Sequence, residues 1–170
     1  AYMLTSTVSS PIWGKLSDAW GRKGFLVGGV LLFIVTSLAA GMAQNMTQLI
    51  ISRGIQGLGG GMLMACGFTL VGDMFTPAER GRIQGLFTGV FGVASVVGPL
   101  IGGFLTDTLS WRWAFYANIP VAVVALPVLV KVLPNVHQPT ADRIDLFGAA
   151  ALSGACVPLL LAFVWAGTRY

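Results

Sequence analysis

The sequence predicts an all-α membrane protein built as a transmembrane helical bundle. Three observations carry that expectation. Of the 170 residues 55% are hydrophobic and only 9% charged, with mean hydropathy +0.81, whereas soluble domains carry roughly 25% charged residues. Apolar runs near the ~20 residues that a bilayer core requires recur along the chain. The 23 glycines exceed what a soluble helical domain tolerates but suit membrane helices, where glycine lets backbones approach closely. Run length and the lack of alternation exclude a β-barrel.

The elements follow in order. Residues 1–13 read as a truncated span, because the chain starts inside an apolar run. Phe25 to about Ala43 is the second span and Leu49 to Val71 the third, with Arg53 as the charge inside it. Ile83 to Leu105 and Trp113 to Leu133 are the fourth and fifth. Leu146 to Trp165 is a sixth apolar run. The connections are short. Gly14–Gly24 carries Lys15, Asp18, Arg22 and Lys23, and Gly72–Arg82 carries Asp73, Glu79, Arg80 and Arg82. Thr106–Arg112 carries Asp107 and Arg112, and residues 134–145 carry Asp142, Arg143 and Asp145.

The basic residues sort by side. Lys15, Arg22, Lys23, Arg80, Arg82, Lys131 and Arg143 fall on one side, and Arg112 and Arg169 on the other. The positive-inside rule makes the richer side cytoplasmic, so residues 14–24, 72–82 and 134–145 are expected in the cytoplasm and the protein in the cell (inner or plasma) membrane. Trp111, Trp113 and Tyr116 then fall at the outer interface, where aromatic rings favour the headgroup region. The net charge of +4 does not indicate nucleic acid, because the basic residues cluster beside apolar spans. Cys66 and Cys156 lie in separate spans and form no C-x-x-C; they read as small packing residues, not a disulfide or zinc site.

Three constellations stand out. Asp18 and Arg22 are four apart and share a helical face, while Gly14, Gly21 and Gly24 permit tight backbone geometry. The bland alternative is a solvated loop that fixes topology. Arg53 is a charge inside a span, costing roughly 2.5–3.5 kcal/mol on insertion scales. It could snorkel to the interface. However, Arg53, Gly57 and Gly61 recur at four-residue intervals, which puts the cation on a glycine face that packs against protein and suggests an interior cavity. In the fourth span Gly85 and Gly89, and again Gly98 and Gly102, form G-x-x-x-G faces for close packing, and Pro99 removes a helix hydrogen bond and kinks the chain. Gly57 and Gly59 begin a G-x-G-x-x-G pattern, but Met62 stands at its third glycine and no strand precedes it, so a dinucleotide site is rejected.

The string G-x-L-x-D-x-x-G-R-K, matched at Gly14, Leu16, Asp18, Gly21, Arg22 and Lys23, resembles the signature between the second and third helices of the major facilitator superfamily. The resemblance implies a cytoplasmic latch. Its aspartate would meet a helix N-terminus in the other half of the molecule, and its arginine would pair with an acid at the cytoplasmic end of the family's fourth helix, where Asp73 stands. Arg53, Gln56 and Gly57 resemble that helix's R-x-x-Q-G motif, implicated in coupling proton movement to substrate binding. Gly98, Pro99, Gly102 and Gly103 resemble the G-P-x-x-G-G antiporter motif of the family's fifth helix, with Ala94 where many members have glycine. Residues 110–120, S-W-R-W-A-F-Y-A-N-I-P, resemble the entry to the sixth helix of the fourteen-helix drug:proton antiporters. The short connection to Asp145 and Gly148 agrees with that subfamily.

The resemblance implies a major-facilitator-type fold. Residues 1–133 would be part of an N-terminal six-helix bundle (its helices 2–6, the first truncated), 134–145 a short cytoplasmic loop, and 146–170 a seventh transmembrane helix and its outer end. It implies a secondary active transporter exporting drugs or toxic compounds in exchange for protons by alternating access, driven by the proton gradient without a cofactor. The partners would be amphipathic or cationic drug-like molecules, protons and the bilayer. A symporter for sugars or organic anions, or a non-transporting scaffold or sensor, are the alternatives; Gly98 and Pro99 with their following glycines count against the symporter. An enzyme is not expected: His137 is the only histidine, and no Ser–His–Asp set, H-E-x-x-H or paired intramembrane carboxylates occur. All six acids lie in loops or at span ends, so the main proton carrier is expected outside this stretch of chain.

Overall fold

The computed structural model describes residues 1–133 and, after them, Gly148, Ala151, Gly154, Ala155, Pro158, Leu159 and Ala162. The expected loop at 134–145, most of the expected span at 146–170, and with them His137, Asp142, Arg143, Asp145, Cys156 and Arg169, lie outside the described residues. The described chain is all-α, without a strand: α1 Tyr2–Trp20, α2 Arg22–Gly41, α3 Met46–Met74, α4 Pro77–Thr108, α5 Trp113–Tyr116 and α6 Asn118–Val132. Four stretches are long and apolar enough to cross a membrane: Arg22–Gly41, Met46–Met74, Pro77–Thr108 and Trp113–Val132.

The helix ends have local causes. α1 runs on through the expected turn to Trp20, and the break is the single residue Gly21 at φ 99°. That left-handed backbone favours glycine over any residue with a Cβ. Gly14 and Gly24, expected to help the turn, are ordinary helical residues. Asn45 caps α3 by accepting a bond from the Gln48 amide at 2.8 Å. Pro77 opens α4, where its missing N–H costs nothing. The expected fifth span is interrupted at Ala117, whose angles stay helical. Pro120 lies one turn further on and cannot donate to the Tyr116 carbonyl.

At about 1.5 Å per residue, α3 and α4 exceed the ~30 Å hydrocarbon core. Their charged ends therefore extend past it, or the helices tilt.

The core is a glycine-mediated sandwich with α3 packed against α1 and α2. A Cβ on Gly57 would sit 2.5 Å from the Tyr2 carbonyl oxygen and closer still to the Thr5 hydroxyl, and one on Gly61 would sit 2.9 Å from the Ser6 carbonyl oxygen. On the α2 side, Gly59 lies against Gly29 and Phe33, and a Cβ on it would sit 3.1 Å from the Gly29 carbonyl oxygen. Four α1 hydroxyls are satisfied within their own helix: Thr5, Ser9, Ser10 and Ser17 bond to carbonyls one turn back, and Ser10 also reaches the Gly61 carbonyl at 3.3 Å. Small residues on both partners are what allow the close approach. Cys66 is buried with Leu26 and Leu133 in a small apolar cluster that also gathers Phe25, Leu63, Leu70 and Leu129.

α4 differs. None of its residues is buried, and the Phe68–Phe87 ring pair, 6.5 Å between centroids, is its aromatic contact with α3. The close packing expected of Gly85, Gly89, Gly98 and Gly102 is not formed among the described residues, for nothing lies within 4 Å of a Cβ built on any of them. The same holds for Gly103. α4 is one helix through Pro99.

Candidate functional site

Two charged clusters lie near opposite ends of α3. The first surrounds Gly21. Arg22 donates to Asp18 Oδ1 through Nε at 3.1 Å and Nη2 at 2.8 Å, and through Nη1 to the Thr69 carbonyl at 2.7 Å. The same Nη1 is ion-paired with Asp73. One guanidinium thus joins α1, α2 and α3. Side-chain exposure is 12% for Arg22, 15% for Asp73 and 37% for Asp18; Asp73 as a whole residue is open because its main chain is at the helix end.

Helix dipoles explain why these charges belong together. Arg22 stands in the first turn of α2, where a cation is disfavoured, and Asp18 and Asp73 stand in the last turns of α1 and α3, where anions are disfavoured. Each charge opposes its own helix and is offset by its partners. The remaining turn residues do not join them: Lys15 and Gly24 are exposed, Leu16 and Lys23 half-buried, and the Gly14 carbonyl accepts from the Ser17 hydroxyl at 2.7 Å.

Arg80 completes this end and was not anticipated. Its Nε donates to the Phe75 carbonyl at 3.1 Å and its Nη2 to the Gly72 carbonyl. It therefore caps the last turn of α3, where a cation is favoured. The sequence signal was an arginine seven residues after Asp73, in the first turn of the next helix.

The second cluster surrounds Arg53. Its Nη1 donates to Gln56 Oε1 at 2.7 Å. Its guanidinium lies 4.8 Å from the Tyr2 ring centroid and 5.4 Å from that of Phe115, within the ~6 Å range of cation–π attraction. The side chain reaches toward Tyr2 of α1 and Phe115 of α5. Gln56 is fully buried, and its Nε2 has no hydrogen-bond partner among the described residues. Gly57 brings α1 close enough to deliver Tyr2. A cavity of about 450 Å³ opens here, with Tyr2, Leu4, Met46, Leu49, Ile50 and Arg53 in its wall. Sequence reasoning found Arg53, Gln56 and Gly57 but neither ring. Both are distant in sequence from Arg53.

The segment after α4 is fastened to the Gly41 end of α2. Arg112 Nη2 donates to the Ala43 carbonyl at 3.1 Å, and the fully buried Ser37 hydroxyl donates to the Phe115 carbonyl at 2.9 Å. Trp111 and Trp113 are exposed, as lipid-interface residues would be. Tyr116 is instead a packing residue, its ring filling the space where a Gly41 Cβ would stand. Gly98, Pro99, Gly102 and Gly103 sit on the open helix α4, and the structure brings them onto neither cluster.

A multi-pass helical membrane protein, with a three-helix ion network at one end and an arginine held between aromatic rings toward the other, is the class that fold and site define. The family model of the Major Facilitator Superfamily matches residues 1–168, and the chain belongs to that superfamily. It is 43% identical over 170 residues to the multidrug transporter protein MdtP of Bacillus subtilis (strain 168), covering 100% of this chain and 31% of that protein. It is 41% identical over 170 residues to multidrug resistance protein 3 of the same organism, covering 100% of this chain and 33% of that one. The chain therefore spans about a third of the length of these relatives. A crystal structure of a peptide transporter POT variant in complex with sulfate shares the fold, with TM-score 0.73 and 22% identity over 97% of this chain and 35% of that one.

Proposed function

We propose that the chain is part of a secondary active transporter that exports amphipathic or cationic drug-like molecules in exchange for protons. Residues 1–133 form part of its N-terminal helical bundle. The carrying observation is the Arg22 network. One cation draws the ends of α1, α2 and α3 together at the end that the positive-inside count assigns to the cytoplasm. Such a network can be made in one access state and broken in the other, as alternating access requires. Similarity to two bacterial proteins named for multidrug transport supports drugs as the substrate class. The G-P-x-x-G-G residues Gly98, Pro99, Gly102 and Gly103 favour exchange over symport.

The roles divide along α3. Asp18, Arg22 and Asp73, with Gly14, Leu16, Gly21 and Lys23 shaping their segment, act as the cytoplasmic latch. Arg53, held by Gln56 and with Gly57 at its base, couples proton and substrate binding, because a fixed cation lowers the pKa of a nearby carboxylate. The proton-carrying carboxylate lies elsewhere in the complete protein, and the proton gradient is the energy source.

The test is drug-driven proton movement in proteoliposomes holding the full-length protein. Export coupled to inward proton flow is the expected result. Drug and protons moving in the same direction overturn the antiport reading.

A further inference from the structure

We infer that Phe115 and Tyr2 are positioning residues for Arg53, and that the segment from Arg112 to Asn118 exists to set the Phe115 ring. The inference rests on the coupling role proposed for Arg53.

Among the described residues no acid lies within ion-pairing distance of Arg53; Arg22 makes the ion pairs. A guanidinium carries five N–H donors in a rigid fork, and one of its nitrogens is bonded, to Gln56 Oε1 at 2.7 Å. Two ring faces lie beside it, at 4.8 and 5.4 Å. Ring quadrupoles stabilise a cation without neutralising it. Arg53 thus keeps a full positive charge available to a neighbour, in a fixed place beside the cavity.

Phe115, inside the four-residue helix α5, is held from several directions. Its carbonyl accepts from Ser37 Oγ at 2.9 Å and from Asn118 Nδ2 at 3.3 Å, and Asn118 Nδ2 lies 3.3 Å from Ser37 Oγ. On the next residue, the Tyr116 ring seats against Gly41, where a Cβ would come within 2.5 Å of Cε1. Three residues before Phe115, Arg112 is tied to the Ala43 carbonyl at 3.1 Å. These anchors fix the backbone on both sides of Phe115 to the end of α2. The ring is left projecting at Arg53 on α3, so the W-R-W-A-F-Y-A-N run becomes a device that couples the connection after α4 to the arginine.

The test is made in the full-length transporter, using drug/proton exchange across a pH series. Phe115→Leu removes the quadrupole while keeping an apolar side chain. Export is expected to fall about 2- to 30-fold, the range of one cation–π contact, and the pH profile to move upward, because a carboxylate whose neighbouring cation is no longer held in place titrates at higher pH. Phe115→Trp is expected to restore both. Phenylalanine at position 115 carrying one, two or three ring fluorines keeps the shape while draining the face of charge, and the loss is expected to grow with each fluorine. This series decides the matter even where Phe115→Leu fails to insert. A flat fluorine series with a wild-type pH profile, while Arg53→Gln abolishes coupling, overturns this inference alone. Wild-type exchange by Arg53→Gln overturns the coupling role and this inference with it.

Discussion

Arg22 and Asp73 lie fifty-one positions apart in sequence, in the first turn of α2 and the last turn of α3, and form an ion pair that Asp18 completes from α1. Each of the three charges sits at the wrong pole of its own helix, so each depends on the others.

Asp18→Asn keeps the shape and removes the charge from the most exposed member of the network. Insertion and expression are expected to persist while drug export is lost. Proteoliposomes carrying this variant at wild-type efflux rates would contradict the latch.

Asp73→Asn leaves Arg22 with one carboxylate. Export is expected to slow while proton coupling survives, because the proton carrier is elsewhere. Exchange measured with substrate binding intact but coupling lost entirely would make Asp73 the carrier. The double change Arg22→Asp with Asp73→Arg is expected to recover part of what either single change loses, since the pair interacts directly and its effects should not add. Asp18 would then face a like charge, so recovery is expected to be partial.

Gly61→Val is expected to disrupt the α1–α3 interface. Its Cβ alone would come within 2.9 Å of the Ser6 backbone carbonyl oxygen, and backbone cannot move aside as a flexible side chain can. A cost of about 1–3 kcal/mol is typical of such overpacking. Gly67→Ala, on the same helix with nothing within 4 Å, is the control expected to fold normally. Retained detergent-solubilised protein after heating measures both.

Gly98→Leu is expected to leave the packing of α1, α2 and α3 intact, because nothing described lies within 4 Å of that position. Export is nevertheless expected to fall if the G-P-x-x-G-G face is closed upon during the transport cycle. Full export by this variant would remove Gly98 from the mechanism.

Much of this was legible in the residues. Runs of about twenty apolar residues specify helices because the bilayer leaves backbone groups no partner outside their own segment. Asp18 and Arg22 were readable as neighbours because helical spacing is local. The turn was misjudged in extent: Gly14–Gly24 looked like a connection, yet the chain is helical up to Trp20 and breaks only at Gly21. A φ of 99° at one glycine is enough to join two helices, and composition does not announce which glycine carries it. The small-residue faces illustrate a second limit. Gly57 and Gly61 on α3 and Gly85 and Gly89 on α4 look alike as patterns, but the first pair is packed against α1 and the second meets nothing described.

The sequence by itself determined what depends on local chemistry: the helical membrane class, the approximate positions of the second to fifth spans, the charge asymmetry, and the isolation of Arg53 as a charge within a span. Tertiary structure alone decided what depends on contacts between distant segments. It brought Arg22 between Asp18 and Asp73, set Arg80 over the end of α3, and placed Arg53 between Tyr2 and Phe115. The physical reason is that a cation in a low-dielectric interior must be satisfied by whatever the fold brings near it. For Arg22 that is two carboxylates and a carbonyl; for Arg53 it is an amide and two ring faces. The spacing of Asp18 and Arg22 announced one of these partners; Asp73, Tyr2 and Phe115 reach the arginines across the fold.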